Sequence, residues 1–210
     1  MTTPGDAAPD RSRSDWIVRL HRDNTSTSTE ASELRADSSV VLAGDVVAHR
    51  GDAATNFGAV SIHRRASDEQ LQLSADVLEL RCESRDLPDS NNTPPATDLD
   101  HVVLILCSRF SEPEAIERFM AATRGMAASY MAGREAWLEV LAHPTDRDGG
   151  MSDTPIVDDV FLGRYPDLET WQALHDLDAW ARPLEELERE ASTIFHLVIA
   201  PTINRVALYR

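Results

Sequence analysis

Apolar and polar positions follow one another in two similar passages of this chain. Around Asp15 it reads D-W-I-V-R-L-H, and around Asp100 D-H-V-V-L-I-L-C. Around Val60 it reads V-S-I-H-R-R-A-S-D-E-Q-L-Q, and around Val160 V-F-L-G-R-Y-P-D-L-E-T-W-Q. Val60 then aligns with Val160, Arg64 with Arg164, Glu69 with Glu169 and Gln72 with Gln172. Each half reads as strand, helix, strands, helix, which suggests duplication of a small domain.

The second half carries the clearer pattern. Val102 to Cys107 is a continuous apolar run of strand length. Ser111 then caps a helix, with Glu114 completing a capping box and Pro113 in the first turn. Ile116, Phe119, Met120, Ala127 and Tyr130 form an apolar stripe at helical spacing, with Thr123 its one polar member. Gly133 is expected to stop that helix. Glu135 to Ala142 alternates as a strand, with Ala136, Leu138 and Val140 on one face and Trp137, Glu139 and Leu141 on the other. A loop is expected from His143 to Pro155 and a strand from Ile156 to Tyr165. Asp167 caps a helix bearing Leu168, Trp171, Leu174 and His175. Pro183 is expected to break it and start a further turn, Leu184 to Glu190. Ile194 to Ala200 and Arg205 to Tyr209 read as closing strands.

The first half is a weaker copy. Trp16 to His21, Val40 to Val47 and Phe57 to His63 read as strands. Asn24 to Arg35 is rich in Thr and Ser and makes a poor helix. Ser67 is expected to cap a helix running through Leu80. Ser84 to Asp98 loses all periodicity to Pro, Asn, Ser and Asp and reads as a linker. The expected organisation is a disordered tail over 1–14, a repeat over 15–83, a linker over 84–99 and a second repeat over 100–210. Each repeat is a β-α-β-β-α-β ferredoxin-like unit, so the class is α+β. The sheet face without helices needs a cover, and the other copy of the sheet supplies it. The two antiparallel sheets then pack face to face as an α+β barrel within one chain.

Composition narrows the partners. The 210 residues carry a formal net charge of −16, spread evenly over both halves. That argues against nucleic acid and anionic membrane surfaces, which need a cationic face. There is no Lys, so neither a Schiff base nor a P-loop can form. The two cysteines, Cys82 and Cys107, stand far apart in strand-like context and read as buried free thiols. No apolar run reaches the about 20 residues of a membrane span. Residues 1–14 lack the apolar segment of a signal peptide. A cytoplasmic setting is expected.

From about His101 to Tyr209 the chain resembles the dimeric α+β barrel superfamily, in particular antibiotic-biosynthesis-monooxygenase-like domains. The pieces that carry this are V-V-L-I-L, E-A-I-E-R-F-M-A-A-T, A-W-L-E-V-L and F-L-G-R-Y-P-D-L-E-T-W-Q-A-L-H-D. In the first half V-L-A-G-D-V-V and A-V-S-I-H-R-R-A-S-D-E-Q are similar to the YCII-related branch, without the His expected in its first helix. The resemblance implies chemistry on small aromatic or polyketide-like molecules, as cofactor-free oxygenase or cyclase, with no cofactor. A non-catalytic binding or interaction module is the rival reading, and a homodimer is compatible with either. The haem-degrading branch is disfavoured. Its Asn late in the first strand is replaced by Cys107-Ser108-Arg109, and no His follows Trp171 one helix later.

The resemblance places the pocket between the sheet's concave face and its helices. His175 shares a helical stripe with Trp171 and Leu168 and is the candidate base, since its pKa lies near working pH. Arg109 is the candidate anion holder, and Tyr130 the phenol that orients a substrate oxygen. Trp137 and Trp171 supply flat walls, with Cys107 and His196 as further contacts. Each has a plainer alternative in core packing or pairing with a surface carboxylate. The scattered His residues show no helical zinc spacing, so no metal site is expected. The first half is expected to hold little chemistry.

Overall fold

The computed structural model describes residues 15–22, 34–65, 76–85, 101–108, 112, 114–130, 133–142, 155–191 and 193–205. Eight strands close into one antiparallel barrel. They are β1 (Asp15–His21), β2 (Val40–Arg50), β3 (Ala59–Arg64), β4 (Val77–Arg85), β5 (His101–Cys107), β6 (Gly133–Ala142), β7 (Asp159–Tyr165) and β8 (Ile194–Asn204). Their order round the ring is β1-β3-β2-β8-β5-β7-β6-β4. The four strands of the first half are therefore contiguous, as are the four of the second. The halves meet where β2 pairs with β8 and β4 with β6.

Period-two alternation sends one set of side chains inward on every strand. Trp16, Val18 and Leu20 on β1, Val102, Leu104 and Leu106 on β5, and Phe195, Leu197 and Ile199 on β8 fill the barrel with their counterparts from the other strands. The concave face is thus solid core. Helices α1 (Ala115–Tyr130), α2 (Leu168–His175) and α3 (Asp178–Glu190) instead cover the outward face of the second half. This corrects the expected pocket position: the layer between sheet and helices lies outside the barrel.

Local signals explain most of the elements. Asp167 accepts a hydrogen bond from the Thr170 backbone N–H at 2.6 Å and caps α2 as expected. Ile116 and Phe119 are buried on the α1 stripe. Thr123, its polar member, is also buried and donates its hydroxyl proton to the Phe119 carbonyl at 2.8 Å, which removes the cost of burying it.

Several boundaries differ from expectation. Val77 to Leu80 is strand, not the end of a helix, because Leu78 and Leu80 point into the barrel while Glu79 points out. Ser84 and Arg85 belong to β4 rather than to the linker. Gly133 opens β6. Pro183 lies inside α3, and the break falls earlier, at Asp176 and Leu177. Pro183 removes one bond to the Ala179 carbonyl, and Ala179 is exposed, so water replaces it. Pro201 does not end the last strand. It sits opposite Gly44 at a β-bulge, where a residue without an N–H is tolerated, and β8 continues to Asn204. The expectations for residues 1–14, 24–33, 66–75, 86–100, 143–154 and 206–209, and for Ser111 and Pro113, fall outside the described residues. Among the described residues no helix is long and apolar enough to cross a membrane.

Candidate functional site

The barrel's register lays one row of outward side chains across six strands. Arg85 on β4 faces Trp137 on β6, Trp137 faces Phe161 on β7, and Phe161 faces Ile105 on β5. Ile105 then faces His196 on β8, and His196 faces Arg50 on β2. Helices α2 and α3 bring Trp171, His175 and Trp180 onto the His196 end of this row. The His175 ring lies 4.6 Å from Trp171, 5.4 Å from His196 and 6.1 Å from Trp180, centroid to centroid. Phe119 of α1 meets Trp180 edge-on at 5.3 Å. Arg50 bonds Glu188 of α3 through two nitrogens, at 3.2 and 3.1 Å, and ties that helix to the row.

His175 closes α2, one turn beyond Trp171. Its Nδ1 lies 2.8 Å from the Trp171 carbonyl oxygen. A carbonyl only accepts, so Nδ1 carries the proton and Nε2 holds the lone pair. Burial holds the His175 pKa below its ordinary value, opposed by the Trp171 carbonyl and the charges of Glu188 and Asp176 and reinforced by Arg50. His196 is fully buried and is pushed much further down, by desolvation first and then by His175 and Arg50. Both imidazoles are therefore neutral at neutral pH. The cluster also gathers polar atoms without a protein partner. His175 Nε2, both nitrogens of His196, and the indole nitrogens of Trp171 and Trp180 are buried with none. Orphaned buried groups each cost on the order of 1–3 kcal/mol, so this density marks strain in the layer or a place where a polar ligand would be welcomed.

The structure brings together three of the residues singled out in the sequence, His175, Trp171 and His196. Trp137 lies three strands away along the same row, its indole N–H donating to Asp159 Oδ1 at 2.8 Å. Cys107 is buried on the same outward face, its thiol donating to the Asp159 carbonyl at 3.8 Å and its pKa raised by burial and by Asp159 and Asp158. That thiol is a packing group, not a reactive thiolate. Tyr130 ends α1, and its side chain, like Arg109, falls outside the described residues. Sequence reasoning missed Trp180, Arg50 and Glu188. Trp180 was legible as the first member of a stripe with Leu184 and Leu187, but the expected break at Pro183 hid it.

With its proton on Nδ1 and its pKa lowered, His175 presents a neutral Nε2 able to accept a proton. His196 stands near enough to offer an N–H to a developing oxyanion. His175 Nε2 is buried, so a haem iron and a substrate alike would reach it only if the neighbouring Trp180 and His196 rings parted. Among the described residues, no group of three or more His, Cys, Asp and Glu side chains is placed to hold a metal ion.

The two lowered histidines set a pH dependence. Unfolded, each takes up a proton near its ordinary value of 6.5, while the folded state resists it. Stability is then full above that value and falls as pH drops below it, with a limiting slope of about 1.4 kcal/mol per pH unit for each imidazole. Urea unfolding between pH 7.5 and 5 checks this. His196→Leu is expected to flatten the acid limb, and an unchanged limb would refute the assignment.

No family model matches the chain, and no curated protein matches it. Solved structures do. Chlorite dismutase from Candidatus Nitrospira defluvii, in complex with imidazole, is 11% identical, with a TM-score of 0.50 over 90% of this chain and 92% of that one. An anthrone oxidase-like protein is 12% identical, with a TM-score of 0.46 over 95% and 98%. A monooxygenase candidate from Lactobacillus acidophilus is 12% identical, with a TM-score of 0.44 over 93% and 98%. At such identities the likeness is one of fold, the α+β barrel.

Proposed function

We propose that this chain is a cofactor-independent oxidase-type enzyme acting on an electron-rich aromatic such as an anthrone or phenol, with its site between the barrel and α2–α3. The carrying observation is His175, whose Nδ1–H is held by the Trp171 carbonyl so that a neutral Nε2 faces a layer of aromatic rings. In this reading Nε2 removes a proton from the substrate, and His196 donates to the oxygen that gains charge. The carbanion passes its electrons to O2, and loss of water from the resulting hydroperoxide leaves the quinone. Anthrone and one O2 thus give anthraquinone and water. Cyclisation of a polyketide-like substrate would use the same proton abstraction without O2. The two contiguous four-strand runs also support a duplicated ferredoxin-like origin for the chain, with small aromatic molecules as partners.

Oxygen uptake with anthrone and naphthols tests the reading. His175→Gln keeps a polar side chain of similar reach and is expected to lower kcat on the order of 100-fold. Absence of uptake with every such substrate, or full activity in His175→Gln, would sink it.

One observation favours a non-catalytic binding module instead: Nε2 of His175 is covered. Catalysis requires the Trp180 and His196 rings to part from it, and a binding module does not. Calorimetric binding of an anthrone without turnover, unchanged in His175→Gln, would decide for the second reading.

A further inference from the structure

The outward face of the first half is polar where that of the second half is apolar. Arg19 on β1, Ser61 and His63 on β3, and Glu79 on β4 all point away from the barrel core. Ser61, His63 and Glu79 are nonetheless only 1%, 2% and 4% exposed. The register puts Glu79, Arg19 and Ser61 in one row, with His63 two residues on from Ser61 along β3. Little chemistry was expected in this half from its sequence, and these side chains were not singled out there.

Their distances define a directed chain. Ser61 Oγ lies 2.9 Å from His63 Nε2. Arg19 Nη1 lies 3.4 Å from the same nitrogen, and a guanidinium only donates. Nε2 is therefore the acceptor, and the ring proton sits on Nδ1. Nδ1 faces the Ser39 hydroxyl at 3.5 Å and the Asp37 carboxylate at 3.8 Å. Asp37 is fixed in turn. Its Oδ1 accepts from the Ser39 backbone N–H at 2.8 Å, and its carbonyl accepts from Arg205 Nη1 at 2.6 Å. Hydrogen bonds from Ser39 and the nearby His63 and Arg19 hold the Asp37 carboxyl below its ordinary range despite a little desolvation. Arg19 keeps its place through Glu79, its Nε 2.5 Å from Oε2.

The geometry points to a second site, a Ser61–His63–Asp37 acyl-transfer triad with Arg19 as the oxyanion partner, taking small esters or thioesters. The roles follow from the contacts: a hydroxyl 2.9 Å from an imidazole nitrogen, a carboxylate 3.8 Å from the other ring nitrogen, and a guanidinium 3.4 Å from the nitrogen that faces the hydroxyl. Ser61 Oγ attacks the carbonyl carbon as its proton passes to His63 Nε2. The carbonyl π electrons move onto oxygen, beside Arg19. Collapse breaks the bond to the leaving alcohol or thiol, which takes the proton from His63. Water then attacks the acyl-Ser61 carbonyl, giving a proton to His63 and releasing the carboxylic acid as Ser61 is reprotonated.

Covalent labelling of the full chain with a fluorophosphonate tests this. The expected result is one adduct per chain, with fluoride lost, mapped by peptide mass spectrometry to Ser61. p-Nitrophenyl acetate should give a burst of one equivalent of p-nitrophenol. Ser61→Ala should abolish both, and His63→Gln should slow labelling on the order of 100-fold. Thermal melts of both variants keep misfolding from passing as loss of the nucleophile, and the wild-type adduct is informative without any variant. No adduct on wild type, an adduct that persists in Ser61→Ala, or undiminished labelling in folded His63→Gln would each overturn the triad. None of these readouts involves oxygen or His175, so the triad and the oxidase reading fail separately.

Discussion

Replacing Gly44 with alanine is expected to cost ~3 kcal/mol or more and to weaken the barrel at the seam between its halves. Gly44 is buried on β2 opposite Pro201 of β8, at the bulge that lets β8 pass its proline. A Cβ built there would overlap the Ala200 carbonyl oxygen. It would also lie 2.7 Å from Ile199 Cγ2 and 2.9 Å from the Ala200 carbonyl carbon. The side chain could shift, but the Ala200 backbone is fixed by the ladder, so relief has to come from moving β8 away from β2. Urea unfolding reads the loss as a lower midpoint. A midpoint within the error of wild type would mean that the seam is looser than its register indicates.

Trp180→Ala is expected to be at least as damaging, at about 4 kcal/mol. Trp180 is buried at 2% exposure and packs edge-on against Phe119. Its removal leaves a cavity bounded by a helix pair and a sheet that close over it only in part. Trp180→Phe separates shape from polarity. It loses one ring but also the buried indole N–H, which has no partner. An unmade hydrogen bond in such a place costs about 1–3 kcal/mol, so the two effects offset and the variant should stay within ~1 kcal/mol of wild type. If phenylalanine proved as costly as alanine, the N–H would have a partner in solution, a water or a bound ligand.

Seven of the eight strands were readable from their apolar runs or alternation, and β4 was not, although Leu78, Leu80 and Cys82 alternate toward the core. In β1, Trp16, Val18 and Leu20 alternate with Ile17 and Arg19, and the observed strand begins within a residue of the expected one. Helix α2 was readable from Asp167 and the spacing of Trp171 and His175. Two misreadings share a cause, which is that tertiary packing overrode a local breaker. Pro183 stays in a helix held by Trp180, Leu184 and Leu187, and Pro201 stays in a strand because Gly44 makes room for it. The Val77–Leu80 stretch pairs with β1 and so cannot continue a helix from Ser67.

For the sites, the sequence revealed residue types but not their neighbours. The four-residue spacing of Trp171 and His175 is local and was legible. Their meeting with His196 depends on which strands adjoin in the ring, and no local pattern encodes that. Ser61 and His63, two apart on a strand, could have been seen to share a face. Asp37, Arg19 and Glu79 come from other elements: the β1–β3 and β1–β4 registers bring in Arg19 and Glu79, and the β2–β3 register, which sets Val40 opposite His63, brings in Asp37. Trp137 was grouped with His175 on aromatic character alone, and the sheet separates them.

The barrel closes within one chain, joined through β2–β8 and β4–β6. When two identical copies build such a ring, every substitution strikes twice, and each half must suit the same chemistry. Here each half can be substituted separately. A substitution at Ser61 leaves the residues of the His175 layer unchanged, so the two layers are free to diverge independently. Ring closure also takes place at an effective concentration fixed by the connecting chain. Dilution, which takes a two-chain barrel apart, is therefore not expected to open this one.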